Sequence, residues 1–298
     1  MTPINRGGLR KLMQRRSTIA FLMALPLFTL IVGLVAYPAG YAIWLSMLDR
    51  RMTTFVGLGN FGFLLTRHGF WMVVWQTCLF AVCAVACKAL IGFVVAHFVH
   101  VLPTKGQRKW RGMLLVPWVI PPAMSTLAWR LMLDPSFSAF NWILAHLGVD
   151  GVFWLGETGW ARFSVVLVSV WMGAPFFMVM YLASLKSVPE ELYEAAAIDG
   201  ASWWQRIRYV TFPLMRNVIA ITMLFSLIGS FAGFTIVTVL TNGGPLGTTQ
   251  VLGTASFLVG IMAGNLPLGA AVSLFMVPIL AVAATLILRG IARRGGDA

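Results

Sequence analysis

Long apolar runs separated by short charged loops make up most of this 298-residue chain. A helix needs about 20 mainly apolar residues to cross a membrane, and six runs are long enough. None shows the alternation of apolar and polar positions that strands of a membrane barrel require, so each run is predicted to be a helix. The six predicted spans are Ile19–Leu45, Phe70–Phe98, Met113–Leu133, Phe163–Leu185, Val218–Leu240 and Leu268–Ile291.

Two shorter apolar segments lie between the predicted spans. Leu252–Met262 is too short to cross a membrane, and Gly264 and Pro267 interrupt the chain after it. We predict an interfacial or packed helix before the sixth span, with a split sixth span as the alternative. Apolar residues from Phe137 to Leu147 recur at helical spacing, which predicts an amphipathic helix that either lies at the outer membrane interface or packs on the bundle.

Composition supports the same fold class. The chain is 59% hydrophobic and 10% charged, with a mean hydropathy of +0.85, whereas soluble domains carry about 25% charged residues. We therefore predict an all-α integral membrane protein with six transmembrane helices. Cys78, Cys83 and Cys87 lie in one apolar run at spacings unlike those of zinc sites, so no metal site is predicted.

Basic residues are concentrated in alternate loops, on the side of the membrane that holds both chain ends. Cytoplasmic loops carry the excess of Lys and Arg, so the N- and C-termini are predicted to be cytoplasmic, and the net charge of +13 reflects topology rather than nucleic-acid binding. Sixteen of the 22 basic residues are on this side: Arg6, Arg10, Lys11, Arg15, Arg16, Lys105, Arg108, Lys109, Arg111, Lys186, Arg206, Arg208, Arg216, Arg289, Arg293 and Arg294.

The cytoplasmic loop before the fifth predicted span, residues 187–213, has the densest charge in the chain. Ser187 and Glu190 have the spacing of a helix-capping box, with a proline in the first turn. Gly200 can adopt the left-handed conformation that ends a helix. Ser202 begins a second capping signal, and Pro213 marks either the start of a helix or a kink. The loop is therefore predicted to form a helix, a sharp turn and a second helix.

This loop has the features of a docking element for a soluble cytoplasmic protein. Ala195, Ala196 and Ala197 allow another backbone to approach closely, and Glu194 offers charge to a basic surface. Asp199 lies next to the predicted turn. Short helices are usually stabilised by burying an apolar face, which a partner would provide. A solvated loop with incidental helix propensity is the alternative.

The same loop resembles the EAA motif of ABC-importer permeases, and we call residues 187–213 the EAA loop. The motif runs Glu-Ala-Ala, three residues, Gly, nine residues, Ile, any residue, Leu and Pro. Here Val210 and Phe212 replace the Ile and Leu, one apolar residue for another. The residues that match the motif, with Asp199 at the turn, are Glu194, Ala195, Ala196, Asp199, Gly200, Val210, Phe212 and Pro213.

Other stretches resemble the carbohydrate-uptake permeases of this class. They are FVGLGNF (Phe55–Phe61), LLVPWVIPPAMSTLAWRLML (Leu114–Leu133), FWLGE (Phe153–Glu157) and LTNGGPLGTT (Leu240–Thr249). The last is similar to a loop typical of the maltose-F-like, or glycerol-phosphate-A-like, half of a permease pair. The resemblance covers nearly all of the chain after about residue 18.

The resemblance implies the fold of a type I ABC-importer permease in the bacterial inner membrane. It also implies assembly as a heterodimer with a second six-helix permease subunit, together with two cytoplasmic ATPase subunits and an extracytoplasmic solute-binding protein. The EAA loop would couple ATPase motion to the membrane. Residues 1–17 and 292–298 would be cytoplasmic tails around a single permease domain, residues 18–291.

The chain itself is predicted to be non-catalytic. It contains no GxxxxGK[ST] phosphate-binding loop, so it is expected to bind no cofactor, and ATP and Mg²⁺ would be used by the partner ATPase subunits. A membrane enzyme is disfavoured because the four histidines have no carboxylate at useful spacing.

Polar and aromatic residues within the predicted spans are candidates for the substrate path. A charged residue inside a membrane span is a candidate for function, and Lys88 lies near the middle of the second span. In the fourth span, Gly173 and Pro175 predict a break beside Trp171 that would open a pocket. The remaining candidates line the fifth span, where relatives often have Phe-Asp but this chain has Phe-Thr: Ser230, Phe231, Phe234 and Thr235.

A stand-alone secondary transporter or channel is the alternative function. Proton- or ion-coupled carriers place carboxylates within their spans, and all nine acidic residues here lie outside the six predicted spans. This pattern favours the importer permease. The sequence does not distinguish a disaccharide from a monosaccharide, a polyol or a glycerol phosphate.

Overall fold

The computed structural model describes residues 16–293, so both predicted tails lie almost entirely outside the described residues. Within that range the chain is helical and has no named strand; Leu48 and Phe55 form an isolated bridge. The predicted all-α fold class is confirmed. The helices are α1 Arg16–Ile31, α2 Tyr37–Ser46, α3 Gly59–Leu65, α4 His68–Val101, α5 Thr104–Leu114, α6 Val116–Val119, α7 Pro122–Met132, α8 Ala139–His146, α9 Thr158–Lys186, α10 Glu190–Ile198, α11 Trp203–Arg206, α12 Phe212–Phe231, α13 Phe234–Leu240, α14 Leu252–Phe257, α15 Leu266–Leu274 and α16 Met276–Arg293.

Five helical stretches in the described range are long and apolar enough to cross a membrane. Each coincides with one of the six spans predicted from the sequence, including the first, in which a π-helical turn joins α1 to α2. The five are Met23–Ser46, His68–Val101, Thr158–Lys186, Trp203–Phe231 and Leu266–Gly290.

The third predicted span is not one continuous helix, which corrects the prediction of an unbroken helix over Met113–Leu133. The chain is extended at Ile120 and Pro121, with ψ angles of 135° and 132°. A residue that precedes proline is pushed out of the helical region by the proline ring, and both of these residues precede a proline. The segment is therefore divided into α5, α6 and α7.

The fifth predicted span starts earlier than expected and is interrupted near its end. The helical stretch begins at Trp203 and runs through α12 to Phe231. Gly233 then has a ψ of 48°, and a Cβ atom at this position would lie 2.8 Å from the Ser230 carbonyl oxygen. Glycine permits this tight bend between α12 and α13 because it has no side chain.

Helices α4 and α9 run parallel and form the centre of the bundle. Near their N-terminal ends Phe80 and Val165 share a buried cluster, and near their C-terminal ends Val99 and Leu185 share another. The helices touch most closely at Gly92, where a Cβ atom would lie 2.3 Å from the Cβ of Phe177. Because the helices are parallel, α5 and the EAA loop, which follow them, lie at the same end of the molecule.

The segment Leu252–Met262 is a separate helix packed against α15. A turn with Gly264 at φ +65° reverses the chain between them. A Cβ atom on Gly269 would lie 2.5 Å from the Cα atom of Gly260, so the two glycines allow the backbones to cross closely. This arrangement agrees with the packed helix predicted from the sequence.

The predicted amphipathic helix forms as α8, and one of its sides packs on the bundle, which is one of the two arrangements that the sequence left open. The contact with the bundle is made by Phe140, which stacks on Trp129 with ring centroids 5.9 Å apart. The Asn141 side chain ties α8 to the loop that follows it: it exchanges hydrogen bonds of 3.0 Å with the Val152 backbone and accepts one from Trp154 Nε1 at 2.8 Å. The other side is exposed, with Phe137 and Trp142 largely uncovered.

Candidate functional site

The turn at the tip of the EAA loop has the geometry of a Schellman motif. Helix α10 ends at Ile198, and Gly200 has the left-handed conformation predicted for it, with a φ of +74°. The Gly200 amide donates to the Ala197 carbonyl at 3.1 Å, and the Ala201 amide donates to the Ala196 carbonyl at 2.9 Å. These bonds satisfy carbonyls at the helix end and fix the direction in which the chain leaves it.

One of the two predicted capping boxes forms. The Ser202 amide donates to Gln205 Oε1 at 2.7 Å, and the Gln205 amide donates to Ser202 Oγ at 3.4 Å. The capping box predicted at Ser187 is wrong, because Ser187 ends α9 instead: its hydroxyl donates to the Ser184 carbonyl at 2.7 Å. The residue that precedes α10 is Pro189, whose side chain has no group to cap the helix.

A direct contact joins the two halves of the loop. Tyr193 Oη of α10 lies 2.9 Å from Thr211 Oγ1, and Thr211 is buried. Thr211 ends a π-helical turn, and Pro213 follows in the first turn of α12, where its missing N–H costs little. The loop is therefore connected rigidly to the helix that enters the membrane.

The EAA loop exposes a large apolar surface. The side chain of Ile198 is 88% exposed, and those of Trp203 and Trp204 are 64% and 63% exposed. The two tryptophan rings lie 6.3 Å apart, and exposed apolar side chains grouped in this way usually mark a contact with another protein. Of the motif residues, Ala196 and Val210 are half-buried, and the others are exposed: Glu194, Ala195, Asp199, Gly200, Phe212 and Pro213. Their role in coupling stays a prediction.

A cleft of about 440 Å³ opens between α4, α9, α12 and the broken third span. Both helix interruptions, at Ile120 and at Gly233, lie in its wall. Interrupted helices at membrane depth are tolerated where they line a cavity. The lining residues are Phe80, Lys88, Pro117, Trp118, Ile120, Pro122, Ser169, Met172, Gly173, Phe176, Phe177, Phe225, Ser226, Gly229, Ser230, Gly233 and Ile236.

Two of the predicted substrate-path residues meet in this cleft. Lys88 is only 7% exposed, and its Nζ lies 3.5 Å from Ser230 Oγ. Gly173 makes room for the lysine, since a Cβ atom there would lie 2.7 Å from Lys88 Cε. The rings of Trp118 and Phe176 stack nearby with centroids 6.0 Å apart. The cleft thus combines aromatic faces with a few hydrogen-bonding groups, as small-molecule sites do.

The other candidates lie elsewhere. Trp171 lines a separate groove and packs edge-on against Trp129 at 5.6 Å. Phe231 is buried in the core, Phe234 packs on Phe257 at 5.0 Å, and Thr235 is half-buried outside the cleft lining. The predicted break in the fourth span is wrong.

Helix α9 runs unbroken through the position of that predicted break. Pro175 lies inside the helix, which continues from Thr158 to Lys186. Proline removes one hydrogen bond within a helix, but a tightly packed neighbour can hold the helix in place. Here Phe177 and Met178 are buried against α4, and on α9 it is Gly173 that makes room for Lys88 in the cleft, without a break in the helix.

The prediction from the sequence missed most of the cleft wall that α12 and the bend after it form. Four small or polar residues of this wall are spaced three, one and three positions apart along the chain: Ser226, Gly229, Ser230 and Gly233. Residues with this spacing lie on a single helix face. Small or polar residues on one face of an otherwise apolar helix were therefore a signal in the sequence that could have identified this wall. No group of three or more His, Cys, Asp or Glu within residues 16–293 is placed to hold a metal ion.

Comparison with known proteins gives consistent matches. Residues 89–294 match the family model described as "Binding-protein-dependent transport system inner membrane component". The chain is 36% identical over 252 residues to the "Trehalose/maltose transport system permease protein MalF" of Thermococcus litoralis, covering 83% of this chain and 85% of that protein. It is 29% identical to the "Trehalose transport system permease protein SugA" of Mycobacterium tuberculosis, over 94% and 91% of the two chains.

A solved structure shares the fold. It is a chain of a bacterial ABC transporter involved in the import of the acidic polysaccharide alginate, with a TM-score of 0.83 over 96% of this chain and 98% of that one. At 22% identity, this likeness concerns the arrangement of the helices.

Proposed function

The chain belongs to the inner membrane components of binding-protein-dependent transport systems, and from this premise we propose that it forms half of a translocation path for a sugar. It is the permease subunit of an ABC importer, a multi-pass membrane protein without ATPase activity of its own. A related polyol or glycerol phosphate belongs to the same proposed substrate class.

One observation carries the proposal: the EAA loop connects α9 and α12, and both helices line the cleft. Helix α9 contributes Ser169, Gly173 and Phe176 to the cleft and ends where the loop begins. Helix α12 begins where the loop ends and contributes Ser226 and Gly229. A displacement of the loop would therefore move both helices together.

The proposed partners follow from the surfaces of the chain. The exposed apolar face of the EAA loop would dock on one of two cytoplasmic ATPase subunits, which would bind ATP and Mg²⁺. The cleft is open on one side, and a second six-helix permease subunit would close it in a heterodimer. An extracytoplasmic solute-binding protein would deliver the solute, in keeping with the family description.

The chemistry of the cleft supports a sugar. Aromatic rings such as Trp118 and Phe176 offer apolar faces to a pyranose ring, while Lys88, Ser226 and Ser230 offer hydrogen bonds to its hydroxyl groups. The volume of about 440 Å³ falls within the range of roughly 300–1,000 Å³ that is typical of small-molecule sites. The names of the relatives favour a disaccharide such as trehalose or maltose.

The test is uptake by the reconstituted complex. The chain would be purified with its partner permease and ATPase subunits, placed in liposomes that contain ATP, and supplied with the solute-binding protein. We expect accumulation of radiolabelled trehalose or maltose that requires ATP and the solute-binding protein. Uptake by liposomes that contain this chain alone would instead support a stand-alone secondary transporter or channel.

A bulky residue at Gly229 should block the path without unfolding the chain. A Cβ atom there has no heavy atom within 4 Å, so the leucine of Gly229→Leu would extend into the cleft. We expect uptake to fall by about tenfold or more, since each ~1.4 kcal/mol of lost interaction is a factor of ten. The variant should keep its thermal stability, because leucine favours helix over glycine.

The matched control is Gly69→Leu, at another helical glycine with no heavy atom within 4 Å of an added Cβ but outside the cleft lining. It should transport like the parent chain. Equal uptake by both variants would show that the solute does not pass this part of the cleft.

A further inference from the structure

Helix α5 carries a cluster of cations at the same end of the molecule as the EAA loop. Lys105, Arg108 and Lys109 are exposed, and within residues 16–293 their side chains make no hydrogen bond or ion pair. The helix, Thr104–Leu114, contains no acidic residue. Unpaired cations grouped on one short helix are a site for a polyanionic surface.

The three cations share one face of the helix. Successive residues on an α-helix are about 100° apart, so positions 105, 108 and 109 lie within an arc of roughly 100°, a little over one quarter of the circumference. A second face is apolar and uncovered, with Trp110 47% and Met113 55% exposed. The third face packs on the bundle through Leu114, which contacts the core cluster of α4 and α9.

The side chain of Gln107 fixes the orientation of this helix. Its Nε2 donates to the His100 carbonyl at 3.0 Å and to the Leu102 carbonyl at 2.9 Å, so it satisfies carbonyls at the end of α4. Arg111 Nε donates to the Gln107 carbonyl at 3.3 Å. The angle between α4 and α5 is therefore set by hydrogen bonds, and the cationic and apolar faces point in fixed directions.

These three faces match the three environments that meet at a membrane surface: the protein bundle, the acyl-chain boundary and the lipid headgroups. We propose that α5 binds anionic phospholipid headgroups of the cytoplasmic leaflet through Lys105, Arg108 and Lys109, while Trp110 and Met113 enter the interface. The end of the molecule that holds α5 also carries most of the Lys and Arg residues, which assigns it to the cytoplasm. Clusters of basic residues beside a span recognise anionic lipids in this way.

The experiment measures lipid selectivity directly. The full chain would be placed in nanodiscs of phosphatidylcholine with a stated fraction of phosphatidylglycerol, and the lipids retained after release would be counted by native mass spectrometry. We expect a preference for phosphatidylglycerol that falls by tenfold or more in Lys105→Gln/Arg108→Gln/Lys109→Gln, since each cation contributes on the order of fivefold. High salt should weaken the preference in the parent chain.

A charge-preserving variant, Lys105→Arg/Arg108→Lys/Lys109→Arg, is the matched control and should keep the preference. The proposal is overturned if the glutamine variant retains phosphatidylglycerol as strongly as the parent chain. It is also overturned if the glutamine variant keeps its lipid selectivity but loses ATPase stimulation in the assembled complex, because the cations would then contact an ATPase subunit.

Discussion

We expect the Gly200→Val variant to insert into the membrane normally and to lose most of its ATP-driven uptake. Gly200 has a φ of +74°, a conformation that costs an L-amino acid about 1–2 kcal/mol and a β-branched residue more. A difference of one or two kcal/mol changes the population of the native turn by about five- to thirtyfold. The turn sets the direction of α10 relative to α11. If the turn is lost, the exposed apolar surface of the EAA loop is no longer held in a fixed position relative to α12, the helix that enters the membrane.

The measurement combines uptake with ATPase stimulation by the loaded solute-binding protein, and both should fall. Gly200→Asn is the matched control, because asparagine adopts the left-handed conformation more readily than other residues with a side chain. A Cβ atom at this position meets no heavy atom within 4 Å, so a steric clash cannot account for the difference between the two variants. Equal uptake by valine and asparagine variants would contradict a role for the turn.

We expect Gly92→Ala to destabilise the bundle itself. The added methyl group would lie 2.3 Å from the Cβ of Phe177 and 3.1 Å from the backbone nitrogen of Met178. These are rigid parts of α9, so the two central helices would have to separate. Overpacking of this kind costs about 1–3 kcal/mol, which should lower the midpoint of thermal unfolding in detergent and the amount of protein in the membrane.

Gly69→Ala, in the same helix, is the control for this change. No heavy atom lies within 4 Å of an added Cβ there, and alanine is favoured over glycine within a helix by roughly 0.5–1 kcal/mol. Its unfolding midpoint should equal or exceed that of the parent chain. If the two alanine variants unfold at the same temperature, the close approach of α4 and α9 does not contribute to stability.

The contrast between the EAA loop and the cleft shows which parts of a site a sequence predicts. The loop is built from local signals: a helix that ends at Ile198, a glycine that closes a Schellman motif and a capping box at Ser202. Its one local error, at Ser187, arose because the preceding helix used the same residue. Capping hydrogen bonds reach only a few residues along the chain, so the sequence contains nearly all the information they need.

The cleft depends on contacts between residues far apart in the sequence. Lys88 and Ser230 meet across 142 positions, and Gly173 makes room for the lysine from a third helix. Trp171, by contrast, was a candidate because aromatic side chains are common in sugar-binding sites, but in the structure it lines a different groove. Small or polar residues on one face, as on α12, indicate how a span is oriented, but whether that face looks into a cavity is decided by the neighbouring helices.

The sequence by itself determined the all-α membrane class, the approximate position of five spans and most of the local structure of the EAA loop. These follow from the length of apolar runs, the placement of charge and a motif confined to 20 residues, all of which are local in the chain. Only the tertiary structure decided how the third span is divided at Ile120 and Pro121, that Pro175 does not break α9, and which residues line the cleft. The physical reason is that an interrupted or kinked helix is stable only where neighbouring helices or a cavity satisfy its backbone, and the packing of those neighbours is a property of the folded chain.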